Sequence, residues 1–213
     1  MKDNTWIVGA NPNSGARKKL DYYPTPPEAT EALILFLKDA GFLTDCKIWE
    51  CACGDGSMSA VLEKNGYEVI STDIYSDCYG TGNINFLTTL NIPKCDWIIT
   101  NPPFNVSEQF IMRSIEIGVP FALLLKSQYW HSKKRYDLFN VRKPAYVLPL
   151  TWRPDFTGEG SSLLDMAWTV WLKDDAKTMY VPLEKPDECS VSVGLKERPQ
   201  EEQMNIFDFL ERK

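Results

Sequence analysis

Histidine is nearly absent from this sequence, which limits the chemistry open to it. His131 is the single histidine among 213 residues, and we interpret it as a surface residue. The six cysteines are irregularly spaced and include no Cys-x-x-Cys pair, so no zinc-binding pattern is present. We therefore expect no metal site and reduced thiols.

Long apolar runs and excess positive charge are also missing. The longest apolar run in the middle of the chain, residues 121–125, is too short to span a bilayer. The first residues, Met-Lys-Asp-Asn, show no apolar secretory signal, so we expect a cytoplasmic protein without membrane contact. A net charge of −6 argues against a simple nucleic-acid coat protein.

Positive charge is nevertheless concentrated in one basic window, residues 126–153. Aromatic residues interleave with the charges, and Asp137 is the only acid in the window. The window is interpreted either as a solvated helix face or as a surface that faces a polyanion. Its basic residues are Lys126, Lys133, Lys134, Arg135, Arg142, Lys143 and Arg153.

Predicted strands and helices alternate along the chain. Helices are expected over residues 28–40, 57–65 and 107–116, the first with Thr25 as a potential N-cap and proline at its first position. This alternation predicts an α/β fold with a mainly parallel sheet covered by helices on both faces. The predicted strands are 47–50, 68–72, 96–100, 121–125, 145–148 and 166–172.

Composition divides the chain into four parts. Residues 1–20 are expected to form a flexible basic arm, and residues 21–183 the folded domain. Residues 184–202 are polar and acidic with two prolines, which indicates a linker. Residues 203–213 contain a small apolar cluster, which is typical of a partner-binding tail.

A turn of small residues follows the first predicted strand. Residues 49–56 read Trp-Glu-Cys-Ala-Cys-Gly-Asp-Gly, and such a turn lets the backbone approach a ligand closely. The glycines do not fit Gly-x-Gly-x-x-Gly and no lysine follows, which disfavours nicotinamide and nucleoside triphosphate ligands. Asp73 ends the second predicted strand, where an acid can accept hydrogen bonds from a ribose diol.

The tetrapeptide Asn101-Pro102-Pro103-Phe104 follows the predicted strand 96–100 directly. The prolines stiffen the backbone and lack an N–H group, so their carbonyls remain available as acceptors. The Asn101 side-chain oxygen and the Pro102 carbonyl can together accept both protons of one planar amine. Phe104 offers a ring for stacking.

With these motifs, residues 21–172 resemble S-adenosylmethionine-dependent amino-methyltransferases, specifically small phage- and prophage-type DNA adenine-N6 methyltransferases. The resemblance implies a Rossmann-like methyltransferase fold, S-adenosylmethionine as cofactor and DNA as partner. Asn101 to Phe104 match the catalytic tetrapeptide, and Asp73 matches the ribose-binding acid, with Ile74 beside it. The implied cofactor loop comprises Glu50, Cys51, Ala52, Gly54, Asp55 and Gly56.

Three further segments resemble parts of this family. The segment with Tyr23, Pro24, Thr25 and Pro26 is similar to one that closes over the methionine end of the cofactor. The family often has an acid where this chain has Asn85, before Phe86; the amide oxygen is expected to accept the cofactor's adenine amine instead. Residues 153–156 resemble a segment near the flipped base. The expected nucleic-acid contacts are Lys126, Trp130, Lys133, Lys134, Arg135, Arg153 and Phe156.

The resemblance implies direct methyl transfer to adenine N6, with the base flipped out of the duplex and held by the tetrapeptide. Positioning does most of this work, so no strong general base is required. Alternatives are methylation of cytosine N4, ribosomal RNA or protein glutamine. A further alternative is an inactive accessory protein that binds a sliding clamp.

The tail, residues 203–213, supports the clamp-binding alternative and is also compatible with a methyltransferase. Gln203, Ile206 and Phe207 resemble the short peptide that binds the bacterial sliding clamp, and the same tail roughly matches the eukaryotic and archaeal clamp peptide. The other interpretation is a terminal amphipathic helix that packs on the domain.

Overall fold

A computed structural model describes residues 24–158, 164–173 and 177–189 of the chain. Several residues named above lie outside these ranges: Tyr23, the arm, most of the linker, and the tail with Gln203, Ile206 and Phe207. The side chain of Lys134 is likewise outside the description.

Seven strands form one sheet in the order β2-β1-β3-β4-β6-β5-β7. Neighbours run parallel from β2 to β4, whereas β6 is antiparallel to both β4 and β5. The prediction of a mainly parallel α/β sheet is confirmed. The strands are β1 (Lys47–Glu50), β2 (Glu68–Ser71), β3 (Trp97–Thr100), β4 (Phe121–Lys126), β5 (Tyr146–Pro149), β6 (Met166–Trp171) and β7 (Met179–Tyr180).

Within the described ranges, four α-helices accompany the sheet. They are α1 (Pro27–Asp39), α2 (Ser57–Lys64), α3 (Ser107–Ile117) and α4 (Tyr136–Val141). Pro26, rather than the expected Thr25, is the N-cap residue of α1, and Pro27 is its first helical residue. The short strand β7, which pairs in parallel with β5, was not predicted because only two exposed residues form it.

Two apolar clusters cover opposite faces of the sheet. Successive residues of a strand point to opposite faces, so in β3 Ile98 packs in one cluster and Ile99 in the other. Helices α1 and α2 supply Leu33 and Leu62 to the cluster that contains Ile99, and α3 supplies Phe110 to the cluster that contains Ile98. The buried strands hold the loops that follow them at one edge of the sheet.

Candidate functional site

A cleft lies at the carboxyl ends of the parallel strands β1, β2 and β3. Its cavity volume is about 130 Å³. Sheets of this kind bind ligands at this edge because the loops that follow neighbouring strands converge there. Of the predicted residues, its wall includes Thr25, Glu50, Cys51, Ala52, Gly54, Asp55, Asp73, Ile74, Asn85, Phe86, Asn101, Pro102, Pro103 and Phe104.

Glycines shape the turn between β1 and α2. Gly56 has φ +85°, and a Cβ placed on it would lie 2.2 Å from Cγ of Tyr79. Gly54 also has positive φ, and its N–H donates to Oδ2 of Asp73 at 2.8 Å. The Tyr79 N–H donates to the Gly54 carbonyl at 2.8 Å. The turn is therefore held between the end of β2 and the loop that carries Tyr79.

Glu50 is the buried acid of this site, with 2% of its surface exposed. Its Oε1 accepts hydrogen bonds from the Thr100 hydroxyl at 2.5 Å and from the Ala52 N–H at 3.2 Å. The pKa of Glu50 is raised to about 7, mainly by burial; the hydrogen bonds from Thr100 and Ala52 lower it, and the charges of Asp73 and Asp55 raise it. Glu50 is therefore partly protonated at neutral pH.

Two further polar side chains in the wall of the cleft, Asp73 and Asn85, have protein partners. Asp73 Oδ1 accepts from the Tyr75 N–H at 3.0 Å, so each of its oxygens accepts one main-chain hydrogen bond. Asn85 is buried, and its Oδ1 accepts from the Leu87 N–H at 2.9 Å. The amide oxygen expected to receive an adenine amine is thus already engaged in a local turn.

Asn101 stands at the other end of the cleft, directly after β3. Its Nδ2 donates to the hydroxyl of Thr25 at 3.1 Å. Its Oδ1 is buried and has no hydrogen-bond partner within the described ranges. Buried polar atoms are almost always paired, so this unpaired acceptor, in a residue that lines the cleft, calls for a ligand N–H as its partner.

The aromatic residue of the tetrapeptide lies next to a cation. Phe104 is half-buried, and Nζ of Lys126 lies 4.1 Å from the centre of its ring. Lys126 ends β4, the strand next to β3, which explains why the basic window begins beside the tetrapeptide. This distance is within the range of a cation–π contact.

The other described basic and aromatic residues of the window do not line the cleft. Lys133 is exposed, and Arg135 lies over the Tyr129 ring at 4.1 Å from its centre. Trp130 is half-buried, edge-on to Tyr129. Arg153 is exposed and forms an ion pair with Asp165 at 2.8 Å.

Phe156 occupies a different environment from the one expected of a stacking ring. Only 7% of its surface is exposed, and it packs in the apolar cluster that contains Leu33 and Trp168. In this conformation its ring belongs to the core and offers no face to a base.

Some wall residues were missed by the sequence analysis. Ser57 and Met58 follow the small-residue turn directly, so extending the motif into α2 finds them. Tyr75, Ile84 and Leu87 come from the loops after β2, which carry no pattern of their own. Asn105 and Phe110 were also missed, whereas Pro24 and Cys53 lie within segments that the sequence analysis named without choosing these two residues. Pro26 and Gly56 lie beside the wall rather than in it.

Two further observations concern membranes and metals. No helix among residues 24–158, 164–173 and 177–189 has the length and apolar character needed to cross a bilayer. In the same ranges, no three His, Cys, Asp or Glu side chains are grouped so that they could hold a metal ion.

Solved structures share this architecture. A candidate RNA methyltransferase from Pyrococcus horikoshii matches 78% of this chain over 93% of its own, with a TM-score of 0.58 and 14% identity. The fold is that of Rossmann-like methyltransferases. A candidate hemolysin from Lactococcus lactis matches 75% of this chain over 94% of its own, with a TM-score of 0.51 and 14% identity.

A methyltransferase solved with its cofactor is also similar. Magnesium protoporphyrin IX methyltransferase from Synechocystis, crystallised with S-adenosylmethionine, matches 68% of this chain over 79% of its own. The TM-score is 0.46 and the identity is 16%. No family model and no curated protein sequence matches the chain.

Proposed function

We propose that this protein transfers a methyl group from S-adenosylmethionine to the exocyclic N6 amine of adenine in DNA. The observation that carries the proposal is the buried Oδ1 of Asn101, which has no partner in the described part of the chain. An unpaired buried acceptor costs free energy, and a ligand N–H that reaches it removes this cost. An exocyclic amine carries such N–H groups.

The cofactor end of the cleft has the chemistry that S-adenosylmethionine requires. The carboxyl groups of Asp73 and Glu50 can accept hydrogen bonds from a ribose diol and can balance positive charge, and the glycine turn allows close approach of the backbone. Phe86 and Ile74 add apolar surface for a purine ring. When bound, S-adenosylmethionine supplies an electrophilic methyl group on a sulfonium sulfur.

The tetrapeptide orients the amine. Asn101 Oδ1 accepts one amine proton and the Pro102 main-chain carbonyl accepts the other, which turns the nitrogen lone pair away from the base ring. Phe104 stacks on the base, which has left the duplex. The amine nitrogen forms its bond to the methyl carbon while the sulfur keeps the electron pair of the broken bond, and the surplus amine proton passes to water.

Charge on the surface supports a nucleic-acid substrate. Lys126 lies beside the tetrapeptide, and Lys133 and Arg153 are exposed cations of the same basic window that a phosphate backbone can contact. The exposed Arg153–Asp165 ion pair contributes little to stability, so Arg153 can exchange it for a phosphate. Because one structural relative is a candidate RNA methyltransferase, RNA belongs in the substrate test.

The test supplies methyl-labelled S-adenosylmethionine with unmethylated duplex DNA, heat-denatured DNA or RNA. The products are digested to nucleosides and identified by mass spectrometry. We expect labelled N6-methyldeoxyadenosine. Label found only in cytosine or in RNA would refute the proposed substrate, and no label in any of these substrates would refute the proposal as a whole.

The matched variants are Asn101→Ala and Asn91→Ala. Asn101→Ala should lower turnover by at least about 10²-fold, because it removes the acceptor that the amine uses, while cofactor binding persists. Asn91 is exposed and lies outside the cleft, so its variant should retain the wild-type rate. Wild-type turnover of Asn101→Ala would contradict the proposed amine contact.

A further inference from the structure

Thr25 links the beginning of the folded domain to the tetrapeptide 76 residues later. Its hydroxyl accepts the hydrogen bond from Asn101 Nδ2 at 3.1 Å. Only 5% of Thr25 is exposed, so water does not compete freely for this contact. The resemblance to the methyltransferase family implies a cofactor contact for Thr25, whereas the structure shows its hydroxyl bonded to Asn101.

The backbone around Thr25 is rigid. A residue before proline is restricted to extended conformations, and here Pro26 and Pro27 follow it. The Pro26 carbonyl accepts from the Ala29 N–H at 3.0 Å, and the Ala29 carbonyl accepts from the Trp168 indole N–H at 2.7 Å in the buried core. The Thr25 hydroxyl is therefore anchored to the sheet through the first turn of α1.

This anchored hydroxyl restrains the plane of the Asn101 amide. A hydroxyl can donate as well as accept, so Thr25 by itself satisfies either orientation of the amide. In the observed orientation Nδ2 contacts Thr25 and Oδ1 is left unpaired, so a ligand N–H that reaches Oδ1 stabilises this orientation. With the hydroxyl removed, Nδ2 loses its acceptor and the amide can turn toward other partners.

We propose that Thr25 is a positioning residue, which restrains the plane of the Asn101 amide so that Oδ1 can accept from the target amine, and so sets the methylation rate. This inference rests on the proposed function and extends it to a residue outside the tetrapeptide. Catalysis by positioning is sensitive to small displacements, and a misplacement of about 1 Å can cost about 10²-fold in rate.

The experiment compares Thr25→Val, which replaces the hydroxyl by a methyl group of similar size, with Thr25→Ser, which keeps the hydroxyl. Thr30→Val is the matched control, because Thr30 lies on α1, is fully buried, and its hydroxyl has no partner among the described residues. The rate at saturating DNA and cofactor, the Kd for S-adenosylmethionine and the Tm are measured for each variant.

Thr25→Val should lower kcat by roughly 10- to 100-fold and leave the Kd for S-adenosylmethionine at its wild-type value. Thr25→Ser should recover most of the rate, and Thr30→Val should behave as wild type. If Thr25→Val does not fold, Thr25→Ala replaces it in the same comparison.

Three results would overturn the inference. One is wild-type kcat in Thr25→Val. Another is an equal loss of kcat in Thr25→Ser and Thr25→Val, which would mean that the shape of the Thr25 side chain, rather than its hydroxyl, sets the rate. The third is a raised cofactor Kd with unchanged kcat, which would return Thr25 to the cofactor site. If Asn101→Ala is inactive, none of these three results contradicts the proposed function. Wild-type turnover of Asn101→Ala would refute the function itself.

Discussion

The buried carboxyl of Glu50 should make the stability of this protein depend on pH, and Glu50→Gln tests that dependence. Desolvation is the main reason why its pKa rises from the ordinary value of 4.5 to about 7. The Thr100 and Ala52 donors offset only part of this effect. The folded protein thus holds a proton on Glu50 at pH values where the unfolded chain has released it.

The direction and size of this pH dependence follow from the difference between the folded-state and unfolded-state pKa values of Glu50. Because the folded-state pKa is higher than the unfolded one, the contribution of Glu50 is fully present below pH 4.5 and is lost as pH rises to about 7. This rise in pKa corresponds to about 3 kcal/mol of unfolding free energy, of which about 2.5 kcal/mol lies between pH 5 and pH 8. The ionised carboxylate destabilises the fold at alkaline pH.

Urea unfolding at several pH values between 5 and 8 measures the effect. The quantity of interest is the unfolding free energy of Glu50→Gln minus that of the wild type, because other titrating groups cancel in this difference. We expect it to rise by about 2.5 kcal/mol from pH 5 to pH 8. Glu68→Gln is the control, since Glu68 is an exposed carboxylate paired with Lys47, and its difference should stay nearly constant.

If the unfolding free energy of Glu50→Gln minus that of the wild type stayed constant or fell as pH rises, the reasoning about desolvation would be refuted. A change of the urea m-value in Glu50→Gln would show that the variant alters the compactness of one state, and the midpoints would then be compared by thermal unfolding.

Three other predictions concern the turn, the surface and the tail. Gly56→Ala should lower the unfolding free energy by roughly 1–3 kcal/mol in urea unfolding and weaken cofactor binding, because its Cβ would meet Tyr79. Gly66→Ala is the control: Gly66 has φ +90° and open space around it, so this variant should lose less unfolding free energy. Equal losses in the two variants would contradict the close approach of Tyr79 to Gly56. Lys133→Gln should weaken DNA binding and reduce the slope of log affinity against log salt by about 1, and an unchanged slope would remove Lys133 from the interface. Deletion of residues 203–213 should preserve methylation and abolish co-elution with a sliding clamp, and a truncated protein that still co-elutes would refute the clamp prediction.

Local patterns predicted most of the fold. The apolar strands and the glycines that end the helices are signals within a few residues, so the boundaries of β1, α2 and β3 agree with the sequence to within one residue. The antiparallel direction of β6 had no such signal, because it depends on how the chain crosses the sheet rather than on the residues of the strand.

The residues of the site were predictable only where residues that are neighbours in the sequence are also neighbours in the folded protein. The small-residue turn and the tetrapeptide are contiguous, and both line the cleft. Asn85 Oδ1 accepts a hydrogen bond from the Leu87 N–H two residues later, a partner that the sequence analysis did not identify. An amide oxygen has two lone pairs, so the expected contact with the cofactor's adenine amine stays a prediction.

By itself, the sequence determined the α/β architecture and identified the small-residue turn that begins at Glu50 and the tetrapeptide that begins at Asn101, because these depend on residue type and short spacing. The tertiary structure alone decided that Phe156 is part of the core and that the Thr25 hydroxyl bonds to Asn101. Thr25 and Asn101 are 76 residues apart and meet only when α1 packs on the sheet that contains β3. The burial of the unpaired Asn101 oxygen arises from the same packing.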